Sequence, residues 1–516
     1  MEGAPSGDRI RLAEPMASLS LATDLGLGRP LEHELGVCLA AVELAERLGW
    51  ERADVYYVAL LAHIGCTGAA PDFASWAGGD EIRFQAGMLG VGIGSQPAED
   101  MRHLVRRLAD DRPLPERARR VAGLVAGGQR KFERMAANLC EGGALLAGRL
   151  RLPEPVAAAL GQFFERWDGK GMPGRVAGDA MSRPMRVVHV AHDLVGIARV
   201  HDRATATAAL ERRRGRAYDP AVVDAALADP GALLRSAPDA WERVLAAEPE
   251  PVATLARAEL ASVARAFGEF ADVKLGFLHG HSARVADLAA EAAEALGEDR
   301  AAVGDLRAAG HFHDLGRVAV PNGVWEKPGP LSAGEQERVR LHAYYSERVL
   351  DRSRVLAPLA RLAGSHHERL DGSGYHRGAG ASQLGTQARV LAAADAYDAL
   401  THDRPHRPAR TAGEARAELA DAVRAGALDA RAVDAVLEAA GTAPVRARRD
   451  NPAGLSDREV EVLRLLAQGR STREIARALT VTEKTAGHHV EHIYAKAGVS
   501  TRVGAALFAM RHDLAG

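Results

Sequence analysis

Cysteine is scarce in this sequence of 516 residues. Only Cys38, Cys66 and Cys140 occur, and all three lie in the first third of the chain. An odd number of cysteines without metal-ligand spacing argues against a disulfide framework. We therefore expect a protein of a reducing compartment, the cytoplasm.

Long apolar runs and an excess of one charge are also missing. No run approaches the roughly 20 apolar residues of a membrane helix, and the first residues, MEGAPSGDRIRLAEP, lack the apolar core of a secretory signal. The formal net charge is −2, so any DNA-binding surface must be local. We expect a cytoplasmic location and no membrane partner, and the length predicts several domains.

Helical periodicity dominates what is present. Apolar residues recur every three or four positions, as in VCLAAVELAERLG and VADLAAEAAEALG, whereas alternating strand patterns are scarce. The sequence therefore predicts an all-α fold, and two Pro-bearing stretches indicate linkers between its parts. The predicted organisation is a flexible N-terminus at 1–30, a first helical domain at 31–245, a linker at 246–262, a second helical domain at 263–441, a linker at 442–453 and a small C-terminal domain at 454–516.

The two larger blocks carry the same landmarks in the same order. HELGVCLAAVELAERLG, from His33, corresponds to HSARVADLAAEAAEALG, from His281. FFERWDGKGMP at 163–173 corresponds to HHERLDGSGYH at 366–376, and RVVHVAHDLV corresponds to RVLAAADAYD. A duplicated helical fold explains this shared order.

The second block spreads imidazoles and carboxylates over several predicted helices. One histidine alone is more often a hydrogen-bonded core residue or a surface residue, but this number in one block indicates a metal site. Imidazole and carboxylate ligands suit iron, manganese or zinc, and an aspartate can bridge two metals about 3.5–4 Å apart that bind phosphate and ionise water. The candidate ligands are His281, His313, Asp314, His342, His366, His367 and Asp395.

The second block resembles the HD-GYP branch of the HD metal-dependent phosphohydrolases over roughly residues 263–440. The motifs that carry the resemblance are HSARV at 281–285, HDLGRVAVPNGVWEKPGPL at 313–331, the single His342, HHERLDGSGY at 366–375 and ADAYDALTHDRPHR at 394–407. Members of this family usually hydrolyse cyclic di-GMP to pGpG or GMP with two or three metals, often iron or manganese. The resemblance implies the same chemistry here, with all seven candidates as ligands.

The resemblance also implies individual roles. Asp314 would bridge the metals, and His313 with Asp314 would form the catalytic centre. Phe277 stands where some members have a glutamate ligand for a third metal, so two divalent ions, iron or manganese, are expected. The predicted contacts to substrate phosphate, which a guanidinium can bind bidentately, are Arg317, Arg404 and Arg407.

Two positions depart from the family pattern. Arg317 replaces a common lysine, and His376 replaces the proline that ends the family's name motif. The sequence leaves His376 open between an additional ligand and an exposed loop residue. Glu368 is open between a partner that orients ligand imidazoles and a salt bridge to a nearby arginine.

The first block retains His33 and His63 but has lost most of the ligand set. The replacements are Ile64 for Asp314, a position near Cys140 for His342, Phe163-Phe164 for His366-His367 and His192 for Asp395. An isoleucine cannot bridge metals, so we predict that this copy keeps the fold and is inactive; His189 and His192 are not taken as ligands. A structural role, dimerisation and binding of a small regulator all stay open for it.

The C-terminal block reads as short amphipathic helices. Ser456 and Glu459 form a capping-box pattern, and EKTAGHHVEHIYAK forms the third helix of a helix-turn-helix pattern. The block resembles the LuxR-type DNA-binding domain through LS-x-RE, EIA-x-x-L, EKT and HIYAKAGV. The alternative is a helical interaction module that does not bind DNA. The DNA-contacting residues that the resemblance implies are Lys484, Thr485, His488, His489 and Lys496.

Together these features predict tandem HD-type domains followed by a LuxR-type domain. The predicted function is a transcription regulator with a metal-dependent phosphodiesterase for cyclic di-GMP or a related nucleotide, with double-stranded DNA as a partner and a homodimer as its assembly. Two alternatives stay open: a nucleotide-sensing DNA-binding switch without turnover, and a phosphohydrolase acting on another nucleotide.

Overall fold

The computed structural model describes residues 9–93, 114–235, 239–441, 451–512 and 514–515. Helices are its dominant element, which confirms the predicted all-α class. Within these residues the strands form one antiparallel pair, β1 (Arg9–Arg11) with β2 (Thr254–Ala256). The chain divides into two compact units, Met1–Arg257 with Pro321–Gly323, and Ala258–Val320 with Val324–Gly516.

The first unit is a helical domain in which α2 packs against α3 and α8. A 3-10 turn, Ile64–Ala69, packs against the long helix α6. The helices are α1 (Ala13–Gly26), α2 (His33–Arg47), α3 (Ala53–Leu61), α4 (Ala70–Ala77), α5 (Glu81–Met88), α6 (Leu114–Arg149), α7 (Glu154–Leu160), α8 (Arg183–Val200), α9 (Arg203–Arg213), α10 (Pro220–Ala228), α11 (Pro230–Leu233) and α12 (Ala240–Ala246).

The second unit repeats this arrangement: α14 packs against α15 and α19, and a 3-10 turn, Leu315–Ala319, packs against α17. The short helix α16 spans the residues at which the chain passes between the units. The helices are α13 (Leu260–Asp272), α14 (His281–Ala295), α15 (Arg300–Phe312), α16 (Asn322–Trp325), α17 (Ala333–Leu350), α18 (Ala357–Gly364), α19 (Thr386–Thr401), α20 (Ala412–Arg424), α21 (Ala430–Gly441), α22 (Asp457–Ala467), α23 (Thr472–Ala478), α24 (Glu483–Ala497) and α25 (Arg502–Arg511).

The described residues of two segments predicted as flexible or as a linker form regular structure. β1 pairs with β2, and α1 buries Met16 and Leu19 completely, so the prediction of a flexible N-terminus is wrong from residue 9 onward. The predicted linker at 246–262 is also structured, because it contains β2 and the start of α13. Residues 1–8, and residues 442–450 of the second predicted linker, lie outside the described residues.

The two copies share a close backbone approach at one glycine. A Cβ on Gly316 would lie 2.1 Å from the carbonyl oxygen of His342, and a Cβ on Gly65 would lie 2.0 Å from that of Leu139. Only glycine permits the 3-10 turn to approach the long helix this closely. Leu139 is therefore the counterpart of His342, one residue before the position at Cys140 expected from the sequence.

An ion pair is also repeated, buried in the first copy and partly exposed in the second. Arg186 Nη1 lies 3.0 Å from Asp219 Oδ2 in the first copy, and Arg389 Nη1 lies 2.9 Å from Asp429 Oδ2 in the second. Each pair ties the last core helix of its copy to the start of a following helix. These matching contacts support the duplication inferred from the motifs.

The C-terminal module, α22 to α25, forms its own small core. Leu463, Leu466 and Ile493 are completely buried. The capping box predicted at Ser456 and Glu459 is present at the start of α22. No helix in the part of the chain that the structure describes is long and apolar enough to cross a membrane.

Candidate metal centre and nucleic-acid interface

The second unit gathers all seven predicted metal ligands into one cluster. The ligands come from five places in the fold, and each stands at or near a helix end or on an inward helix face. His281 begins α14, His313 and Asp314 follow α15, His342 lies on α17, His366 and His367 follow α18, and Asp395 lies on α19. All are buried except His367, which is partly exposed.

Asp314 lies between two pairs of histidines. Its Oδ2 is 3.1 Å from His281 Nε2 and 3.0 Å from His313 Nε2. Its Oδ1 is 3.3 Å from His342 Nε2 and 3.5 Å from His366 Nε2. One carboxylate therefore presents a different oxygen to each half of the cluster.

The remaining ligands complete the two halves. Asp395 Oδ1 lies 3.4 Å from His281 Nε2, so it joins the half that contains His281 and His313. His367 joins His342 and His366 in the other half. Each half thus offers imidazoles with an adjacent carboxylate oxygen, a donor set that suits transition-metal ions.

Hydrogen bonds to the distal ring nitrogens orient three of the imidazoles. His313 Nδ1 donates to the carbonyl oxygen of Gly310 at 2.7 Å, and His366 Nδ1 donates to that of Ala363 at 2.7 Å. His342 Nδ1 makes the same kind of bond one turn back on its helix. Because a carbonyl can only accept, these bonds place a proton on each Nδ1 and direct each Nε2 toward Asp314, where it can bind a metal ion once it carries no proton.

Asp398 is a contributor that the sequence reasoning missed. Its Oδ2 lies 2.5 Å from His281 Nδ1, and its Oδ1 accepts from Arg284 Nε at 2.7 Å. It therefore orients His281 as a carboxylate commonly orients a metal-bound histidine. The available signal was its position three residues after Asp395, on the same face of α19.

Several atoms of this cluster are buried without a conventional partner. Among the residues that the structure describes, His281 Nε2, His313 Nε2, Asp395 Oδ1 and both Asp314 carboxylate oxygens form no hydrogen bond of good geometry, although Arg317 Nε lies 2.8 Å from Asp314 Oδ2. Leaving so many polar atoms unsatisfied in one buried place is costly. The residues fit divalent cations, which would satisfy these atoms together.

Charge and burial shift the pKa values of the titrating groups of the cluster in different directions. Burial alone would lower the pKa of His281, but the carboxylates of Asp398, Asp314 and Asp395 outweigh it and raise that pKa to about 9. For His366 burial prevails and lowers the pKa to about 4. Burial would raise the pKa of Asp314, but the adjacent guanidinium and imidazoles hold it well below its usual range.

Two of the three predicted phosphate-binding arginines lie beside the cluster. Arg317 Nε is 2.8 Å from Asp314 Oδ2, and its guanidinium lies over the ring of Trp325. Arg404 lies over the ring of Phe277, 5.7 Å from the ring centroid. Burial and the neighbouring Arg317 charge lower the pKa of Arg404 to about 10, so it lies close to the other charged groups of the site.

Arg407 does not join them. Its guanidinium donates to the carbonyl oxygens of Ala399 and Leu400, the latter at 3.1 Å, at the C-terminal end of α19. A cation at this helix end satisfies carbonyls that have no intrahelical partner. The predicted contact of Arg407 with substrate phosphate stays a prediction.

The loop after the double histidine is held by Glu368. This buried carboxylate accepts from the backbone N–H of Arg377 and of Ala379, each at 2.8 Å, so it shapes the loop and does not orient an imidazole. His376 Nε2 lies 3.2 Å from Glu347 Oε2, so it pairs outside the ligand cluster. Neither alternative left open for His376 describes this partly buried contact with Glu347.

The candidate DNA-contacting residues lie on α24, with Lys484, Thr485 and His488 exposed and His489 partly exposed. Lys496 differs, because its Nζ donates to Glu459 Oε2 at 2.6 Å and to the carbonyl oxygen of Gly454 at 3.1 Å. Lys496 therefore joins α24 to the start of α22, and its predicted contact with DNA phosphate stays a prediction.

Among its described residues, the first unit has no equivalent constellation around a bridging carboxylate. Ile64 is completely buried at the position of Asp314, and the Phe163 ring lies 4.7 Å from that of His63. The inactivity of this copy as a phosphohydrolase stays a prediction.

Family models match most of the helical framework. The HD domain model matches residues 133–222 and 265–431, which lie in the two copies, and the model for bacterial regulatory proteins of the luxR family matches residues 453–509. The match to both copies agrees with the repeated contacts at Gly65 and Gly316.

Individual proteins show how far the similarity extends. The 3'3'-cGAMP-specific phosphodiesterase 3 of Vibrio cholerae is 30% identical over 409 residues, which are 77% of this chain and 88% of that protein. A cyclic di-GMP phosphodiesterase of Thermotoga maritima is 32% identical over 163 residues, 31% of this chain and 44% of that protein.

A solved structure agrees with these matches. The crystal structure of a cyclic GMP-AMP-specific phosphodiesterase of V. cholerae superposes with a TM-score of 0.58 and 26% identity, and the match covers 84% of this chain and 99% of that one. By its ligand cluster, its two HD-type copies and this extended similarity, the chain belongs to the HD-GYP family of metal-dependent phosphodiesterases, and it carries a LuxR-family DNA-binding domain.

Proposed function

We propose that the second copy hydrolyses a guanosine-containing cyclic dinucleotide at a centre of two metal ions, and that the LuxR-type module binds double-stranded DNA. The observation that carries the enzymatic part is the geometry of Asp314, whose two oxygens face two separate pairs of histidines. A carboxylate in this position can bridge two ions. The substrate class follows from the similar proteins, whose names specify cyclic GMP-AMP or cyclic di-GMP.

We assign one ion to His281, His313 and Asp395, and the other to His342, His366 and His367, with Asp314 between them. Iron or manganese fits this mixture of imidazoles and carboxylates best. Phe277 supports two ions and not three, because its apolar ring offers no ligand at the position where a third ion would need one. When bound, the ions would acidify a water and polarise the phosphate.

The chain's own residues then bind and orient the substrate. Arg404 and Arg317 bring positive charge to the edge of the cluster, where they can hold the phosphate oxygens and stabilise the charge that develops on them. In the reaction a water oxygen bonds to phosphorus, one bond from phosphorus to a ribose oxygen breaks, and that oxygen takes a proton. The product is a linear dinucleotide that ends in a phosphate.

Turnover of both nucleotides tests the enzymatic proposal. Full-length protein purified anaerobically and loaded with Mn²⁺ or Fe²⁺ should linearise cyclic di-GMP, cyclic GMP-AMP or both, and Asp314→Asn should lose at least about 10³-fold in rate, because it removes a charge shared by both ions. Asp434→Asn, on the exposed face of α21, is the matched control and should keep parent activity. If the parent binds metal and cleaves neither nucleotide, the phosphodiesterase proposal is wrong.

The exposed face of α24 supports the DNA-binding part. Lys484, Thr485 and His488 lie together at the N-terminal half of this helix, where a helix-turn-helix protein presents residues to the major groove. Pairing of two modules on a two-fold symmetric site would make a homodimer the binding species. Gel-shift titration of Lys484→Glu against the parent should show DNA affinity lowered by at least tenfold, with a smaller salt dependence.

A second candidate, a nucleotide-sensing switch, is favoured by one set of contacts. Gly276, five residues before His281, approaches the turn of the DNA-binding module so closely that a Cβ would lie 2.9 Å from the carbonyl oxygen of Gln468. Ligand binding beside His281 could therefore change how the module is held. Nucleotide-dependent DNA affinity without turnover would favour this function.

A cytoplasmic location stays a prediction.

A further inference from the structure

The first copy contains a second cluster of metal-ligating side chains. His33 is the first residue of α2, Glu34 follows it, and His192 lies on α8. All three are buried, with 2% or less of each residue exposed. One ligand atom from each of the three lies within 4.8 Å of the others.

The ligand atoms of this cluster lack partners in the same way as those of the second copy. Within the described parts of the chain, both ring nitrogens of His33, Oε2 of Glu34 and Nε2 of His192 are buried without a hydrogen bond. Burial of polar atoms that nothing satisfies is unfavourable. Their convergence on one place indicates a ligand that satisfies them together.

The His192 ring is oriented as a metal ligand would be. Its Nδ1 lies 3.0 Å from Asp193 Oδ1, and the other oxygen of Asp193 accepts from Arg213 Nη1 at 3.1 Å. The distal nitrogen is thus fixed by a carboxylate, as His281 Nδ1 is fixed by Asp398 in the second copy. Nε2 of His192 is left to face His33 and Glu34.

A guanidinium next to the cluster does not prevent metal binding. Arg29 pairs with Oε1 of Glu34, which leaves Oε2 for another partner. In the second copy Arg317 contacts Asp314 in a similar way, with Nε 2.8 Å from the carboxylate oxygen. Both clusters therefore combine buried imidazoles, one central carboxylate and an arginine that contacts this carboxylate.

We propose that the first copy binds a single divalent metal ion through His33, Glu34 and His192. Two imidazoles and one carboxylate form a set that suits Fe²⁺, Mn²⁺ or Zn²⁺. This inference departs from the expectation that His192 is not a ligand. A second ion has no place here, because apolar side chains stand at the positions of its ligands: Ile64, Leu139, Phe163 and Phe164. The ion would join α2 to α8 without supplying a two-metal hydrolytic centre.

Metal content separates this site from the one in the second copy. The full-length double variant His281→Ala/His366→Ala removes ligands from both halves of the second cluster. Loaded with Co²⁺ and passed through a desalting column, it should retain one ion per chain and show visible absorption from a nitrogen- and oxygen-ligated cobalt. No retained cobalt in this natively folded protein would overturn the proposal.

The ligands are tested by adding one further substitution. His192→Ala in that background should abolish cobalt retention and its absorption, whereas His201→Ala, at an exposed histidine just after α8, should change neither. Glu34→Gln, which preserves side-chain volume, serves if His192→Ala fails to fold. Unchanged cobalt retention in either variant would show that the ion is bound elsewhere and would overturn the assignment. Because none of these readouts is turnover, a failure of the phosphodiesterase proposal would leave this test valid.

Discussion

Asp398 orients His281 but is not one of the seven proposed ligands. Its substitution therefore tests the metal centre without removing a ligand. Asp398→Asn removes the charge opposite Nδ1 while keeping the shape of the side chain. Loss of a carboxylate behind a metal-bound histidine usually lowers metal affinity about 10–100-fold. We expect a loss of this size in a competition titration with a fluorescent chelator. Asp434→Asn is the exposed control, and equal affinity in both variants would contradict the role given to Asp398.

The histidine pKa values predict how pH acts on the metal-free protein. The pKa values of His281 and His313 are raised to about 9 and about 10 by surrounding carboxylates that outweigh burial. In the unfolded chain both are about 6.5. The stability that they contribute is therefore complete below about pH 6.5 and is lost as pH rises through 9 and 10.

Metal binding reverses this dependence, since the ligand nitrogens must be free of protons. We expect the melting temperature of the chelator-treated protein to fall between pH 7 and 10, and the affinity for Mn²⁺ to rise over the same interval. Thermal unfolding at several pH values, with chelator and with Mn²⁺, measures both. A metal-free protein that becomes more stable between pH 7 and 10 would contradict the raised pKa values of His281 and His313.

Residue identity predicted the ligand cluster well and the surrounding contacts poorly. His313 and Asp314 were identifiable because metal ligands are restricted to few side-chain types. Arg407 and Lys496 were assigned to substrate phosphate and to DNA phosphate, and their intramolecular contacts, with the end of α19 and with Glu459, were not anticipated. A flexible cationic side chain reaches many partners, so its position along the chain does not determine which one it contacts.

The contact between the 3-10 turn and α17 fixes the position of His342. A Cβ on Gly316 would lie 2.1 Å from the carbonyl oxygen of this histidine, so Gly316→Ala must push α17 away from the turn. We expect the free energy of unfolding to fall by about 3 kcal/mol, as for an overpacked core. Metal affinity should fall with it, because His342 and Asp314 lie on opposite sides of this contact.

Two other glycines separate the effect on packing from the effect on the metal site. Gly65→Ala creates the same clash in the first copy and should lower stability while leaving turnover by the folded protein unchanged. Gly304, on α15, has open space where a Cβ would stand, so Gly304→Ala should be neutral or stabilising by up to about 1 kcal/mol. Denaturant unfolding and metal titration of the three variants measure both properties. Full metal affinity in Gly316→Ala would contradict this account.

Helix periodicity predicted the core elements and failed where order depends on distant partners. α1 and β1 were not anticipated, because β1 is ordered by pairing with β2 more than 200 residues later. Arg9 contributes to this pairing, with its Nε donating to the Thr254 hydroxyl at 2.7 Å. A three-residue strand has no periodicity of its own to reveal such a partner.

Duplication left two copies of one fold with different chemistry. The glycine contact and the arginine–aspartate pair persist in both copies because they maintain packing. The seven-ligand set is complete in one copy alone, and Asp314 has become Ile64 in the other. Sequence comparison between the copies therefore distinguishes residues that hold the fold from residues that hold metal. This comparison did not reveal Glu34 as a candidate ligand, because its counterpart in the second copy, Ser282, is not one of the seven ligands.

The contacts between the DNA-binding module and the second copy predict that nucleotide and DNA binding influence each other. Arg265, on α13, donates from Nη2 to the carbonyl oxygen of Met510 at 2.6 Å. Together with the approach of Gly276 to Gln468, this contact connects the module to the segment that leads into His281. If the bound nucleotide moves this segment, DNA affinity must change, and DNA must change nucleotide affinity by the same factor.

We expect a nonhydrolysable cyclic dinucleotide to change the DNA affinity of the metal-loaded parent by about fivefold or more. Arg265→Ala should reduce this change to less than about twofold, because the two parts then lose a shared contact, while turnover stays at the parent level. Arg307→Ala, which removes an arginine paired with Asp287, is the matched control and should keep the full change. Fluorescence anisotropy with labelled DNA, with and without nucleotide, measures the change in DNA affinity for each protein. If Arg265→Ala keeps the full change in DNA affinity, the coupling runs through other residues. If nucleotide does not change the DNA affinity of the parent, the module and the metal centre act independently.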